Sequence, residues 1–353
     1  MLKFERVDMG PGTWNAEIAK CPEHTVFQTP QWLSFVAKTQ HAEPVIAALK
    51  ERQQTVGYFA GLIVRNFGLR ILGSPLAGWT TSYMGLCLTA PTPRRMAIEA
   101  LIRFAFEDLR CVHFEFMDRF LTLEDINSLG FGHRIFAGFE VDLTQTEKQL
   151  LAKMSDSCRW SIRKAEKQSI FIEEAHDSKF ADDYYAQLED VFAKQSLVPT
   201  YGVERVRELI REVHSTGMLL LLRARNREGR CIATGIFAGT NRIAYFWGGA
   251  SWRNYQSLRP NELIQWYAMK YWKGRGMRAY DMGGGGEYKR KYGGVEIYVP
   301  WVRKSKYRSL SHMRDIAQQL VRSRQRLSGK WKICVSLPLT RRAKYNPPAE
   351  VCG

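Results

Sequence analysis

The pattern of apolar and polar positions in the second half of the chain predicts a meander of three strands. Apolar stretches at residues 218–224, 231–238 and 243–248 have the length of strands and not of helices. A charged turn at 226–229 separates the first two stretches, and a tight turn at 239–241 separates the last two. The three strands are therefore expected to lie side by side in chain order.

A helix and a fourth strand are predicted to follow this meander. Between residues 261 and 273 the apolar positions fall on one face of a helix, and they are Leu263, Ile264, Tyr267, Ala268 and Tyr271. Gly274 ends the helix. The segment 278–282 is then predicted to form a strand that leads into four consecutive glycines.

The first half of the chain shows the same order of elements. Its two strands, Gly/Pro-rich loop, helix and final strand are predicted at 45–50, 56–64, 73–85, 93–109 and 112–117. This repeated order predicts an α/β (α+β) fold of two tandem domains, 1–143 and 144–308, each a mixed sheet flanked by helices. A basic C-terminal segment, 309–353, follows.

Helical periodicity predicts one long helix over 144–168, capped by Thr146, and further helices over 182–194 and 203–216. The long helix carries a basic cluster, formed by Arg159, Arg163, Lys164 and Lys167.

The charge of the chain is concentrated near its C-terminus. The 353 residues have a formal net charge of +17, and residues 303–344 hold thirteen Lys or Arg against one acid, Asp315. Apolar positions within this region predict a basic amphipathic helix over 309–327 and a poorly ordered end. Such a segment favours RNA or an anionic membrane surface as a partner, and a solubilising tail is the alternative.

Composition argues against several classes of protein. The longest apolar run is strand-sized, and the N-terminus lacks the apolar core of a signal peptide, so a cytoplasmic protein is expected. The seven cysteines lack the spacing of a zinc site, and no metal is expected. No serine, cysteine or histidine motif of a nucleophilic enzyme is present. Transfer to an amine is still open, because it needs mainly positioning, an oxyanion stabiliser and one proton acceptor.

The glycine run at 283–286 is the strongest candidate for chemistry. It follows Asp281-Met282 and precedes Lys289. Glycines let backbone N–H groups approach an anionic ligand, and a lysine supplies charge to a phosphate or an oxyanion. Asp281 is either a proton acceptor or a strand-end residue that caps the turn. A mobile loop with solvated lysines is the alternative.

The element order over 218–282 is typical of an N-acetyltransferase-like (GNAT-like) fold. There the central strands splay to admit an acyl donor, whose phosphates dock at a helix N-terminus. Members that use coenzyme A have a glycine-containing loop before that helix. The corresponding loop here, 253–261, has no glycine, and coenzyme A binding in the standard manner is not expected.

Three segments resemble the FemABX-type peptidyltransferases and the related FemAB-like acyltransferases, which contain two N-acetyltransferase-like domains. They are the basic helix within 141–173, the strand and helix within 245–272, and the Asp–glycine–lysine motif within 280–294. In the motif, Tyr288 and Tyr292 stand where the family has phenylalanines.

The resemblance implies transfer of an acyl or aminoacyl group to an amine of a cell-envelope or polysaccharide precursor. The donor would be a co-substrate, aminoacyl-tRNA or an acyl thioester such as acyl-CoA, with no permanently bound cofactor. Carried over by position, the implied catalytic residues are Lys289, as oxyanion stabiliser, and Asp281. The implied donor-binding residues are Tyr288, Gly283, Gly284, Gly285, Tyr292 and Trp247. The implied acceptor-binding residues are Arg163, Arg159, Lys164, Trp32 and Tyr83.

Two further hypotheses stand beside this one. The gap between acid and lysine is short and no helical-hairpin insertion is visible, which favours the smaller FemAB-like branch with acyl-CoA or acyl carrier protein as donor. A non-enzymatic hypothesis is a basic RNA- or membrane-binding protein. In the membrane case, the basic tail at 303–344 would hold the protein at the inner face of the membrane.

Overall fold

Strands and helices alternate along the chain, and the computed structural model describes them over residues 1–194 and 197–307. The strands are β1 (Leu2–Arg6), β2 (Glu43–Glu51), β3 (Gln54–Asn66), β4 (Leu69–Ser74), β5 (Leu86–Leu88), β6 (His113–Met117), β7 (Gly132–Asp142), β8 (Phe171–Glu174), β9 (Leu219–Arg225), β10 (Cys231–Thr240), β11 (Ile243–Ser251), β12 (Ala279–Gly284) and β13 (Val295–Ser305). The α-helices are α1 (Pro11–Ala19), α2 (Pro30–Gln40), α3 (Arg94–Arg103), α4 (Leu123–Ile126), α5 (Glu147–Lys153), α6 (Asp156–Lys167), α7 (Phe180–Ala193), α8 (Val203–Val213) and α9 (Pro260–Gly274). A short 3₁₀ helix at Glu287–Tyr292 joins β12 to β13.

The predicted meander of the second half is present, and the first half also forms one, because the unpredicted strand β4 follows the two strands predicted there. In the first half β2, β3 and β4 pair antiparallel in chain order, and β9, β10 and β11 do the same in the second half. After each meander a helix, α3 or α9, leads to a strand that lies parallel to the last strand of the meander. These parallel strands are β6 beside β4 and β12 beside β11. The predicted order of strands, helix and strand is confirmed in both halves.

The two halves exchange one strand each at the centre of the sheet. The strand order in the described residues is β1-β2-β3-β4-β6-β13-β7-β12-β11-β10-β9-β8, with β5 beside β3. β7 follows β6 in the chain but pairs with β12, and β13 follows β12 but pairs with β6. β7 and β13 also pair with each other. The division into domains 1–143 and 144–308 therefore stays a prediction. Each of these two parts contributes one strand, β7 or β13, that pairs with a strand of the other part.

Three apolar cores cover this sheet, and the largest contains helices of both halves. It joins Trp14 and Trp32, from α1 and α2, to Tyr184 and Val206, from α7 and α8, and all four residues are buried. The other two cores are more local. One packs α3 against the strands of the first half, and the other packs α6 and α9 against those of the second.

The segment predicted as one long helix over 144–168 forms two helices, so this prediction is wrong at its centre. Thr146 caps α5, as predicted. Met154 and Ser155 are then extended, with ψ of 149° and 154°, and the Ser155 side chain caps α6. A serine within a helical pattern offers such a cap. The Ser155 N–H donates to Lys291 O at 2.9 Å, so the break ties the start of α6 to the 3₁₀ helix.

The predicted amphipathic helix over 309–327 and the rest of the predicted tail, 309–353, lie outside the described residues. Among the helices that are described, none has both the length and the apolar character that crossing a bilayer would require.

The strand exchange predicts that neither half folds alone. In separately expressed fragments 1–143 and 144–307, β6 lacks β13 and β12 lacks β7, which exposes unpaired strand edges, and the shared core is divided. We expect each fragment to show no cooperative thermal unfolding by circular dichroism, and the co-expressed pair to recover it. A cooperative transition in either isolated fragment would contradict this account.

Candidate active site

Pairing between β11 and β12 stops after three residue pairs, which opens a gap between these central strands. The last pair is Tyr245 with Asp281. Beyond it the backbone turns at Gly283, Gly285 and Gly286, whose φ angles are 71°, 68° and 85°. Glycine adopts such angles without steric cost, so the glycine run lets the chain leave β12 and enter the 3₁₀ helix. The structure therefore contains the splay that the GNAT-like element order predicts.

The amine of Lys289 lies in this gap. Lys289 Nζ donates to the backbone oxygens of Met282 at 2.6 Å and Gly284 at 3.0 Å. The residue is 6% exposed, and the amine lies 5.8 Å from the ring centre of Phe246 and 5.9 Å from that of Tyr288. Little water is therefore available to screen the charge of this amine.

The glycine run also has packing and hydrogen-bonding roles within the protein. The Gly283 N–H donates to Asp281 Oδ1 at 2.6 Å, and the Gly285 N–H donates to a carbonyl oxygen of β7 at 3.2 Å. Gly284 lies so close to Phe136 that a Cβ would stand 2.4 Å from the ring. The backbone N–H groups of Gly283 and Gly285, which the sequence suggested for a ligand, thus already have hydrogen-bond acceptors within the protein.

A buried cluster of three charges lies at the end of β12. Asp281 on β12 and Glu140 on β7 are paired directly across the two strands. The guanidinium of Arg119, which follows β6, lies 3.4 Å from Asp281 Oδ2 and also forms an ion pair with Glu140. Two buried carboxylates side by side repel each other, and the guanidinium offsets that repulsion.

Burial and neighbouring charges shift the pKa values of these groups in opposite directions. Burial raises the pKa of Asp281, and the Arg119 guanidinium opposes that rise. Glu140 behaves in the same way: burial raises its pKa and Arg119 lowers it. Burial lowers the pKa of Lys289 to about 8, and the charge of Asp281 works against that shift. At neutral pH Lys289 is therefore mainly protonated, and it loses its charge as the pH rises through about 8.

A cavity of about 370 Å³ adjoins both the gap and the charge cluster, and both halves contribute to its walls. Lys289 and Asp281 reach it from the second half, and the segment 78–83 closes it from the first half. Trp247 Nε1 fixes that segment by donating to Thr80 O at 2.9 Å. Seven aromatic residues line the walls, and they are Phe27, Tyr83, Phe136, Tyr245, Phe246, Trp247 and Trp301.

The structure brings some of the predicted site residues to this cavity. Those that line it are Lys289, Asp281, Gly283, Gly284, Trp247 and Tyr83. Tyr288 lies beside Lys289 and is 59% exposed, as a stacking platform requires. Gly285 lies in the turn that precedes the 3₁₀ helix.

Other predicted site residues lie away from the cavity. Tyr292 is buried in the core beneath α6 and α9, where a donor does not reach it. Trp32 is fully buried, and it contributes indirectly because its Nε1 donates to Thr81 Oγ1 at 3.0 Å. Both aromatics therefore have packing roles.

The three predicted basic residues lie on α6, outside the cavity lining. Arg163 is exposed. Arg159 donates to backbone oxygens at the end of α5, including Met154 O at 2.5 Å, and pairs with Asp156. Lys164 Nζ lies 5.0 Å from the ring centre of Trp160. These cations form a surface separate from the cavity lining. The N-terminus of α6 is joined to the 3₁₀ helix by the hydrogen bond from Ser155 to Lys291.

Sequence reasoning missed Arg119, Glu140 and five of the aromatic wall residues, Phe27, Phe136, Tyr245, Phe246 and Trp301. One signal was available for Arg119, because a charged pair, Asp118-Arg119, directly follows the apolar strand β6. Glu140 had no comparable signal, since it becomes a neighbour of Asp281 only through the strand exchange. Over residues 1–194 and 197–307, no cluster of His, Cys, Asp or Glu comes together as a metal site would need.

Comparison with known families decides the class of the second half. Residues 152–291 match the family model described as an acetyltransferase (GNAT) domain. This segment is similar to GNAT domains. The matched GNAT domain begins in α5 and includes α9, the glycine run and Lys289. The protein is accordingly an acyltransferase of the GNAT type.

Solved structures confirm the fold around this GNAT domain. FemX superposes with a TM-score of 0.68 at 13% identity, covering 84% of this chain and 96% of FemX. L-PGS from Bacillus licheniformis gives 0.55 at 11% identity, covering 88% and 96%. The C-terminal domain of an Agrobacterium fabrum protein designated a lysylphosphatidylglycerol synthetase gives 0.52 at 10%, covering 87% and 97%. No curated protein matches the chain in sequence.

These comparisons confirm the mixed α/β, GNAT-like fold and the resemblance to FemABX-type proteins. At such low identities the superpositions show the fold alone, so the substrates of this acyltransferase are a separate question.

The charge cluster predicts a large loss of stability on removal of Arg119. Arg119→Met would leave Asp281 and Glu140 adjacent and unpaired, and we expect a loss of roughly 3–5 kcal/mol in the free energy of unfolding at pH 7. The loss should shrink at pH 5, because the unpaired carboxyls then bind protons more readily. Urea unfolding at both pH values measures it.

The matched control is Arg119→Met combined with Glu140→Gln, which removes one of the two repelling charges. This pair should lose less stability than Arg119→Met alone. An equal or larger loss would show that the guanidinium does not act by balancing the carboxylates.

Proposed function

We propose that the protein transfers an acyl or aminoacyl group to a primary amine in the cavity between its two halves. The observation that carries this proposal is the buried amine of Lys289 at the cavity wall, held by two backbone oxygens. In acyl transfer a negative charge develops on the carbonyl oxygen, and a preorganised cation in a dry site stabilises it strongly.

The proposed step joins the amine nitrogen to the carbonyl carbon of the donor. The carbonyl electron pair moves to the oxygen, where Lys289 stabilises it, and the nitrogen gives up a proton. Asp281 lines the same cavity and accepts that proton. The bond to the leaving oxygen or sulfur then breaks as the carbonyl re-forms, and the leaving atom takes the proton. Against the effect of burial, the Arg119 guanidinium lowers the pKa of Asp281 and so favours its ionised form.

We propose an ester-linked donor, as in aminoacyl-tRNA. Two observations support it over coenzyme A. The Lys289 side chain already occupies the gap between β11 and β12. The loop before α9 is a 3₁₀ helix at Arg253–Leu258 without glycine, and it ends at Arg259 in the left-handed conformation, with φ of 62°. The exposed ring of Tyr288 next to Lys289 suits the terminal base of such a donor.

An acyl thioester is the second candidate donor, because residues 152–291 match the model of an acetyltransferase (GNAT) domain. Incubation with an amine acceptor and each donor in turn, read by mass spectrometry of the product, separates the two candidates. Product from a thioester but not from aminoacyl-tRNA would overturn the preferred donor.

We further propose that the acceptor is an amine-bearing precursor of the cell envelope. The designation of one structural neighbour, lysylphosphatidylglycerol synthetase, motivates the choice of an envelope component, and the amine is carried over from the resemblance to FemABX-type proteins. Arg163, Arg159 and Lys164 on α6 are candidates for contacts with acceptor phosphates outside the cavity. The basic segment 303–344 would hold the protein near an anionic membrane, which co-sedimentation of full-length and truncated protein with anionic vesicles tests.

Lys289→Ala should lower the transfer rate by about 100- to 1,000-fold, because it removes the stabilising charge. Donor affinity should change only a few-fold. The matched control is Arg290→Ala, which removes a neighbouring surface charge of the same 3₁₀ helix. Mass spectrometry of the product and a donor-binding titration give the two quantities. Full activity in Lys289→Ala would sink the proposed function.

The rate of transfer should depend on pH through Lys289 and Asp281. Burial lowers the pKa of Lys289 to about 8, so the oxyanion stabiliser is charged below this value and activity should fall above it. Burial raises the pKa of Asp281, so activity should fall on the acidic side earlier than for an exposed carboxyl. Lys289→Arg should move the alkaline fall to higher pH, and an unmoved profile would contradict the assignment.

A further inference from the structure

The hairpin that joins β3 to β4 ends in an exposed aromatic residue. Its two-residue turn is Phe67-Gly68, and the Phe67 side chain is 97% exposed. The φ of Phe67 is 48°, in the left-handed region that bulky residues rarely adopt, and turns of this length favour asparagine, aspartate or glycine. Leu69, directly after the turn, is also exposed. An apolar ring kept in water on a strained turn is expected to have a partner outside the chain.

Three arginines at the base of this hairpin share one acid. Arg65 and Arg70 are paired directly across β3 and β4, and like charges in that position repel each other. Glu43 forms ion pairs with Arg6 at 2.9 Å and with Arg65 at 3.5 Å. Arg70 has no ion pair among the described residues, and its neighbours are Glu43 and the weakly polar thiol of Cys111. Its Nε is buried without a hydrogen-bond acceptor. The cations at this place therefore exceed the acids that could balance them.

A cavity of about 380 Å³ adjoins these arginines. The charged residues that line it are Lys3, Glu5, Arg6, Arg70, Asp108 and Arg110. Four cations thus face two acids, and one of those acids, Glu5, lies 4.0 Å from Lys3. Arg110 forms no ion pair within the described part of the chain, and its φ of 53° is again left-handed. Phosphate is the complementary ligand, because guanidiniums bind phosphate oxygens in bidentate pairs.

The basic C-terminal segment begins at this same end of the sheet. β13 ends beside the first residue of β6. The Lys306 N–H donates to Val112 O at 2.9 Å, and the Val112 N–H donates to Arg70 O at 2.9 Å. The basic segment 303–344 therefore starts next to the arginines of the hairpin, and the two sets of positive charge are continuous.

We propose that this end of the sheet docks on an anionic membrane, with Phe67 inserted among the lipids and the arginines bound to lipid phosphates. The proposal rests on the membrane contact proposed for the basic segment but not on acyl transfer, and it places the contact on the folded part of the protein. A protruding apolar ring next to unbalanced cations suits the boundary between head groups and acyl chains.

RNA phosphates would also attract these cations, but the position of Phe67 favours a membrane. Proteins that stack bases on aromatic rings do so along a basic groove. Phe67 instead stands at the tip of a hairpin, where almost all of its surface is in solvent. Insertion into lipid buries the whole ring, whereas stacking on a base would cover one face.

Binding of the full-length protein to vesicles tests the role of Phe67. With phosphatidylcholine and phosphatidylglycerol in about equal amounts, Phe67→Ser should lower the affinity by about tenfold, because the inserted apolar area is lost. The matched control is Leu123→Ser, since Leu123 is 48% exposed on α4, which follows the opposite end of β6. That variant should bind as the unchanged protein does. Equal affinities in the two variants would overturn the proposal.

A second pair of variants tests the charges. Arg110→Gln should lower the affinity for the same vesicles by about fivefold. Arg242→Gln, in the exposed turn between β10 and β11, should leave it unchanged. If the basic segment alone holds the protein on the membrane, neither Phe67→Ser nor Arg110→Gln will differ from its control. That result would overturn this proposal and leave the contact of the basic segment standing.

Single-stranded RNA of about 20 nucleotides is the competing ligand. If Phe67→Ser and Arg110→Gln weaken RNA binding and leave vesicle binding unchanged, the surface belongs to RNA and the membrane proposal is wrong. Transfer to a soluble amine should be unaffected by Phe67→Ser, so the membrane contact and the acyl transfer succeed or fail separately.

Discussion

The exchange of β7 and β13 between the halves is the constraint on which the candidate site depends. β7 brings Glu140 opposite Asp281 and places Phe136 in the cavity wall, and β13 brings Trp301 to the same wall. Arg119, which follows β6, then lies close enough to balance the two acids. Without the exchange, the second half would keep Lys289 and Asp281 but would lose the groups that control their charge.

The site uses burial to set the state of each group. Lys289 loses part of its proton affinity through desolvation, while Asp281 and Glu140 gain proton affinity in the same way. The guanidinium of Arg119 lowers the pKa of both carboxyls and so opposes this gain. Acyl transfer needs a cation for the oxyanion and a base for the amine within a few ångströms, and two such groups would neutralise each other if they touched. Here the backbone oxygens of β12 hold the lysine, and the arginine holds the acid, so both charges persist.

Much of the fold followed from local patterns. Strand length, turn residues and helical periodicity are properties of neighbouring residues, and they predicted the meander of β9, β10 and β11, the strands β2 and β3, α9 and the strand before the glycines. The run of glycines and Lys289 stood out for the same reason. The break at Ser155 was missed because periodicity continues across it, and only the cap and the hydrogen bond to Lys291 show where the helix ends.

The other misses were long-range. No local pattern says that β13 lies beside β6, so Glu140 and Trp301 could not be assigned to the site. Tyr292 was assigned to the donor because of its position in the motif, yet it is buried in the core beneath α6 and α9. The motif therefore identified the segment that borders the cavity. It did not show which side chains of that segment face the cavity.

The arrangement of strands makes this chain the covalent equivalent of a domain-swapped dimer. In such a dimer two identical subunits trade one element and neither is complete alone. Here the two partners lie on one chain and are not identical, so each contributes different groups to the cavity. The second half contains Lys289 and Asp281, and the first half supplies Arg119 and part of the cavity wall. If transfer takes place in the cavity as proposed, a substitution in the first half can therefore inactivate it without touching any residue of the glycine run.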